Sequence, residues 1–166
     1  MSEPGVSGPR LTHVDASGAA RMVDVSGKEV SVRTATATGR VLVSAEVVAL
    51  LRGGGVPKGD ALAVARIAGI QAAKRTPDLV PLCHPIAIHS VAVDLEVHDD
   101  HGAVTATVRT ADRTGVEMEA LTSVAVAGLA LVDMVKAVDP AAVISDVRVE
   151  EKTGGKTGRW VREGDR

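Results

Sequence analysis

Between positions 30 and 43 the chain reads VSVRTATATGRVLV, a partly alternating stretch rich in Val and Thr. Period-two alternation sends every second side chain to one face, and β-branched residues suit a half-buried pleated surface. A strand, or a bent pair of strands, is therefore expected there. Residues 11–30 mix turn formers with short apolar pieces and read as a loop leading into it. After position 43 the period lengthens. Ser44 precedes AEVVALLRGG and Asp60 precedes ALAVARIAGIQAAKR, each offering a side-chain oxygen to cap a helix. The first helix should close at Gly53–Gly55, and the second near Arg75, where Lys74 and Arg75 suit the negative end of the helix dipole.

A proline-bounded loop, TPDLVPLCHP, follows. Residues 86–97 and 103–111 read as two strands, and the HDDHG turn between them predicts an antiparallel hairpin. DRTGV (112–116) is a polar turn. A long helix should run from Glu117 to Val138, stopped by Asp139-Pro140, with a last strand at 143–151 and a polar, Gly-rich end. This order gives an α+β fold, an antiparallel sheet covered by helices. The long helix is unusual: LTSVAVAGLALV (121–132) is apolar nearly all round, so more than one side must be covered. Either it is fully internal, or the sheet covers one face and a second subunit another.

Composition sharpens this picture. The chain has no Phe, no Tyr and one Trp, at position 160, so its core is built from Val, Ala, Leu and Ile. Such side chains each bury little area, and burying more against further copies would stabilise the fold, a first hint of an oligomer. With a net charge of −2 and no basic patch interleaved with aromatics, nucleic acid is not an expected partner. A single cysteine forms no internal disulfide, which fits a reducing compartment. The first ten residues lack an apolar core, and the uncharged run 121–132 is too short to cross a bilayer. A soluble, cytoplasmic protein with no membrane partner is expected.

Chemistry concentrates in PLCHP, residues 81–85. Cys83 and His84 could supply two metal ligands, but structural zinc takes four, and His13, His89, His98 and His101 are scattered; no metal site is expected. A cysteine nucleophile needs a converging base, which a neighbour in a proline-bent loop rarely provides. A buried thiol beside a satisfied histidine is the plainer reading. KTGGKTG (152–158) ends like a phosphate loop, but position 150 is Glu where that motif needs Gly, and GGGVPKGD (53–60) fails the same test. Both still place lysines (Lys58, Lys152, Lys156) in Gly-rich backbone, where they meet either solvent or an anion. Glu117 and Glu119 flank Met118 at a helix start, where acids are favoured anyway. Asp133 and Lys136 are helical neighbours: a surface ion pair, or, in a partly buried site, a carboxylate that tunes a lysine for proton transfer.

The order of these pieces carries more than any one of them. LTHVDASGAARMVDVSGK, KGDALAVARIAGIQAAKRTPDLVPLCHP, TGVEMEALTSVAVAGL, DMVKAV and KTGGKTG together closely resemble the cyclic pyranopterin monophosphate synthase family, the C proteins of molybdenum cofactor biosynthesis. The resemblance spans residues 11–158, which makes 1–10 a flexible N-terminal tail, 11–158 a single catalytic domain and 159–166 a C-terminal tail. It implies a ferredoxin-like fold and a homohexamer, a trimer of dimers with active sites at the dimer interface. It implies a lyase whose small-molecule substrate is a cyclised GTP derivative, (8S)-3′,8-cyclo-7,8-dihydroguanosine 5′-triphosphate, converted to cyclic pyranopterin monophosphate and diphosphate. No redox cofactor is implied, and Mg²⁺ accompanying the triphosphate is left open. Carried over by motif, Lys58, Asp133 and Lys136 form the catalytic group. Leu82, Cys83, His84, Met118 and Glu119 bind substrate, and Arg33, Lys74 and Lys152 are further contacts, to phosphates. A triphosphate that must close a cyclic phosphate and expel diphosphate needs such cations. A non-catalytic nucleotide-binding subunit and a structural oligomer with a degenerate site are the alternatives. The joint presence of Lys58, Asp133, Lys136, His84 and Glu119 speaks against both.

Overall fold

A computed structural model describes residues 11–56 and 60–164. The expected tail at 1–10 and the candidate catalytic Lys58 lie outside these described residues. The elements run β1 (Ser31–Leu42), α1 (Ala45–Gly53), α2 (Ala61–Lys74), α3 (Thr76–Leu79), β2 (Ile88–Val97), β3 (His101–Asp112), α4 (Glu117–Val135), β4 (Val143–Thr153) and β5 (Trp160–Val161). The strands form one antiparallel sheet in the order β2-β3-β1-β4-β5.

β1 is a single strand, and it is the bend in its pairing that the mixed pattern reflected: its register against β4 shifts twice, between Thr36 and Ala37 and between Thr38 and Arg40. Its alternation sends Ala35, Ala37 and Val41 inward. Thr36 and Thr38 face the other way and bond Thr107 and Glu150. Both expected caps form. Ser44 accepts from Val47 N, Asp60 accepts from Ala63 N, and Gly54 closes α1 with a φ of 71° that glycine adopts without strain.

Helices α2 and α4 pack side by side over the sheet. Gly69 allows the approach: a Cβ there would lie 3.0 Å from the Ser123 carbonyl oxygen and 3.1 Å from Ala127 Cβ. One core cluster joins Ala35, Ala37, Val93, Val104 and Val108 of the sheet to Ala120, Val124 and Ala127 of α4. A second joins Val41, Val47 and Ala61 to Leu131, Met134 and Val135, so the start of α2 packs at the end of α4. By length and composition α4 could cross a membrane, but half of it is buried in the fold, against sheet and α2. Its remaining flank is open: Leu129 is 60% exposed, as are Val64 (43%) and Ile67 (57%) of α2.

The structure corrects some boundaries. TPDLVPLCHP is not all loop, because Thr76–Leu79 makes a helical turn. Pro77 sits in its first turn, where the missing N–H costs nothing, and the Thr76 hydroxyl bonds the Ala72 and Ala73 carbonyls at the end of α2. α4 ends at Val135, and residues 136–138 continue as turns rather than helix. The hairpin turn shortens to His98-Asp99-Asp100, and Trp160–Val161 adds an edge strand in the expected tail.

Candidate active site

The loop after α3 and the start of α4 meet. A cavity of about 700 Å³ lies between them, lined by Leu82, Cys83 and His84 from one side, Glu117 and Met118 from the other, and His13 from the N-terminal loop. His84 is held by that loop: its Nε2 donates to the Val23 carbonyl, which fixes a proton on this nitrogen and sets the ring's orientation. The loop itself is closed by a Val14–Ala20 bridge and by Asp15, whose carboxylate accepts from Ser17 and Ala19.

Glu119 points inward. It is 1% exposed, its Oε1 accepts from the Cys83 thiol at 3.5 Å, and its Oε2 is buried with no hydrogen-bond partner among the described residues. Burial raises its pKa above the ordinary glutamate range, and Glu117 adds to the rise. Burial, and then the negative charges of Glu119 and Glu117, push the Cys83 thiol up to about 11. A thiol that stays protonated at neutral pH is a poor nucleophile. Cys83→Ser is therefore expected to keep turnover within about threefold, while a loss of about a thousandfold in steady-state assays would assign Cys83 to the chemistry.

The cations take three positions. Lys152, on β4, reaches Glu117 with Nζ 3.0 Å from Oε1, which places it at the same end of α4 as Met118. Arg33 lies behind the KTGG turn, its Nε donating to the Asp112 carbonyl at 3.2 Å. Gly154 crosses it with a φ of 95°, and a Cβ there would overlap the Val32 carbonyl oxygen. Arg33 shares a cavity of about 630 Å³ with Lys28 and Lys156. Lys74 is exposed in the last turn of α2.

Asp133 and Lys136 stand apart from all of these. Lys136 Nζ lies 2.5 Å from Asp133 Oδ1, beside a depression of about 470 Å³ lined by Val126, Leu129 and Ala130. Of the two readings of this pair, a single chain shows the exposed ion pair and not the partly buried site: their side chains are 54% and 57% exposed. Four helical turns, about 22 Å, separate Met118 from Asp133 along α4. One chain thus brings together Leu82, Cys83, His84, Met118, Glu119 and Lys152, and holds Asp133 and Lys136 at the far end of the same helix.

Several residues of the cavity wall were given no site role by sequence reading, His13, Thr114 and Gly115 among them. His13 sits inside the quoted LTHVD motif, but only the long-range folding of residues 11–30 brings it here. Thr114 and Gly115 belong to a stretch that reads as an ordinary turn. Among the described residues, no group of three or more His, Cys, Asp or Glu is placed to hold a metal ion.

A model of the MoaC family matches residues 22–155. The cyclic pyranopterin monophosphate synthase of Streptomyces coelicolor is 72% identical over 153 residues, covering 92% of this chain and 90% of that one. The synthase of the same name from a Nocardioides species is 72% identical over 156 residues, covering 92% and 96%. Cyclic pyranopterin monophosphate synthase 2 of Mycobacterium tuberculosis is 59% identical over 152 residues, covering 92% and 91%.

Proposed function

This chain belongs to the MoaC family, and on that premise we propose that it is a lyase of molybdenum cofactor biosynthesis that forms cyclic pyranopterin monophosphate. The substrate of this reading is the cyclised GTP derivative in which ribose C3′ is bonded to purine C8, and diphosphate is the second product. Substrate and products balance without an oxidant or reductant, so no redox cofactor enters the proposal. Mg²⁺ enters only as a companion of the triphosphate, whose charge draws a divalent cation.

The observation that carries the reading is the convergence of PLCHP and GVEME on one cavity, in a chain 72% identical to synthases of that name. The cavity has the size of a small-molecule site. His84, its Nε2 already bonded to the Val23 carbonyl, presents the rest of its ring to the purine-derived ring. Glu119, buried and biased towards its protonated form, holds a proton that ring opening can use. Lys152, Arg33 and Lys74 balance the triphosphate, whose charge must be neutralised before the cyclic phosphate closes and diphosphate leaves. Lys136, oriented by Asp133, and Lys58 supply the remaining proton transfers.

The separation along α4 gives this reading its oligomer. A nucleotide cannot touch both Met118 and the Asp133–Lys136 pair of one chain, because Met118 and Asp133 alone are about 22 Å apart along the helix axis. Two copies related by a twofold axis across α4 would bring the Asp133 end of one beside the Met118 end of the other, and would cover Leu129, Ile67 and Val64. We take this pair as the dimer of a homohexamer. The strand neighbours β2-β3-β1-β4, with α2 in the β1–β2 connection and α4 in the β3–β4 connection, support a ferredoxin-like description of each subunit, to which α1, α3 and β5 are additions. A cytoplasmic location is part of the same proposal.

The test is a turnover assay with the cyclised GTP derivative. Cyclic pyranopterin monophosphate and diphosphate should appear in equal amounts. Nucleotide bound and recovered unchanged would instead assign a non-catalytic binding subunit.

A further inference from the structure

We propose that Trp160 is a substrate-contacting residue, the platform on which the planar pyrimidinone part of the purine-derived ring system stacks beside Met118 and Lys152. This deepens, and rests on, the reading of the cavity as a site for a cyclised GTP derivative. Trp160 follows the stretch matched to the family model, which ends at residue 155.

Register places the ring. β5 pairs with β4 at Glu151↔Val161 and Lys152↔Trp160. Residues directly opposed on antiparallel strands project to the same face, so Trp160 shares the face of Lys152. Lys152 reaches Glu117, so that face is the one that meets the start of α4. There Trp160, Lys152, Val149, Glu117 and Met118 bound a cleft of about 380 Å³. Glu117 and Met118 also line the larger cavity with Leu82, Cys83 and His84, so the two spaces adjoin across these residues.

The chemistry of the cleft fits a planar pyrimidinone in a nucleotide carrying phosphates. Trp160 is the only aromatic among Phe, Tyr and Trp in the chain, and it is 40% exposed, as is Met118. An indole stacks on the π-face of a purine-like ring whatever its substituents. The Met118 thioether adds a polarisable wall, and the Lys152 ammonium stands beside both. The ring is braced: the Arg162 guanidinium lies 5.7 Å from the indole centroid, and Arg162 Nε is itself bonded to the Val149 carbonyl at 2.8 Å. A two-residue edge strand held this way fixes an aromatic that would otherwise swing on a tail.

A single tryptophan makes intrinsic emission a one-residue probe. Lys136→Ala protein, titrated with the cyclised GTP derivative so that the nucleotide is bound and not consumed, should show a saturable change in emission. Its midpoint should lie near the wild-type KM. Trp160→Ala should raise KM about tenfold with kcat within about threefold, and Trp160→Phe should restore most of the loss. Emission that stays constant through saturation, or an unchanged KM in Trp160→Ala, overturns the proposal. So does emission that responds to dilution of the oligomer and not to nucleotide, because the indole then lies in a subunit contact. Absence of turnover by the wild-type protein refutes the proposed reaction; a saturable emission change in that case still places the ring on Trp160, and its absence removes both.

Discussion

Lys136→Ala is expected to lower turnover by about a thousandfold or more while leaving substrate affinity within about tenfold. The two effects separate because the groups proposed to bind the substrate sit at the opposite end of α4 from Lys136. Leu82, Cys83, His84, Met118 and Lys152 gather at its start, and none of them touches Lys136. Lys136→Arg should be nearly as damaging, since a guanidinium keeps the charge but does not give up its proton near neutral pH. Single-turnover rates and equilibrium binding of the cyclised GTP derivative, measured side by side, check both statements. Full activity in Lys136→Arg would reduce the residue to a fixed charge and move the proton transfer to Lys58 or Glu119.

Glu119→Gln should act in opposite directions on stability and on activity. In the folded chain the Glu119 carboxyl has a raised pKa, chiefly through burial. Between the ordinary glutamate value and that raised value the folded state holds a proton that the unfolded state has released. Stability therefore falls as pH rises through this window and stays lower above it. Glutamine is neutral throughout and of the same size. The variant should match wild type near pH 4 and be the more stable of the two at neutral pH, in urea unfolding followed at both pH values. Turnover should fall by about a hundredfold, the scale of losing one general acid. A variant with full activity would leave Glu119 with a packing role. A variant less stable at neutral pH would mean that the carboxylate is ionised and partnered.

Much of the fold was legible because periodicity and caps speak locally. Ser44 and Asp60 announce α1 and α2, and the HDDHG turn announces the hairpin. α3 was hidden because Pro77 reads as a breaker until its place in a first turn is known. β5 was hidden because two residues carry no period, and only pairing with Lys152 makes Trp160 part of a sheet. Glu119 illustrates a subtler limit. The helix dipole explains an acid at a helix start, but residues two apart on a helix face different ways, so Glu117 reaches Lys152 while Glu119 turns into the core. The order of the motifs picked out Leu82, Cys83, His84 and Met118, which the fold brings to one cavity. The resemblance implied a site shared at a dimer interface, but which residues fall on which side was not legible, because the exposure of Asp133 and Lys136 depends on what covers the open flank of α4, and a sequence does not state which helix face meets a second copy.

That division is the central claim: a complete site takes the start of α4 from one copy and the end of α4 from another. The measurement that meets it most directly is complementation between Lys136→Ala and His84→Ala proteins, each inactive alone, mixed under conditions where subunit exchange is demonstrated by mass. In a mixed dimer one site carries both substitutions and the other carries neither, so random pairing should restore about a quarter of wild-type activity. No recovery despite proven exchange would mean that His84 and Lys136 serve the same site from the same chain, and the account would be contradicted.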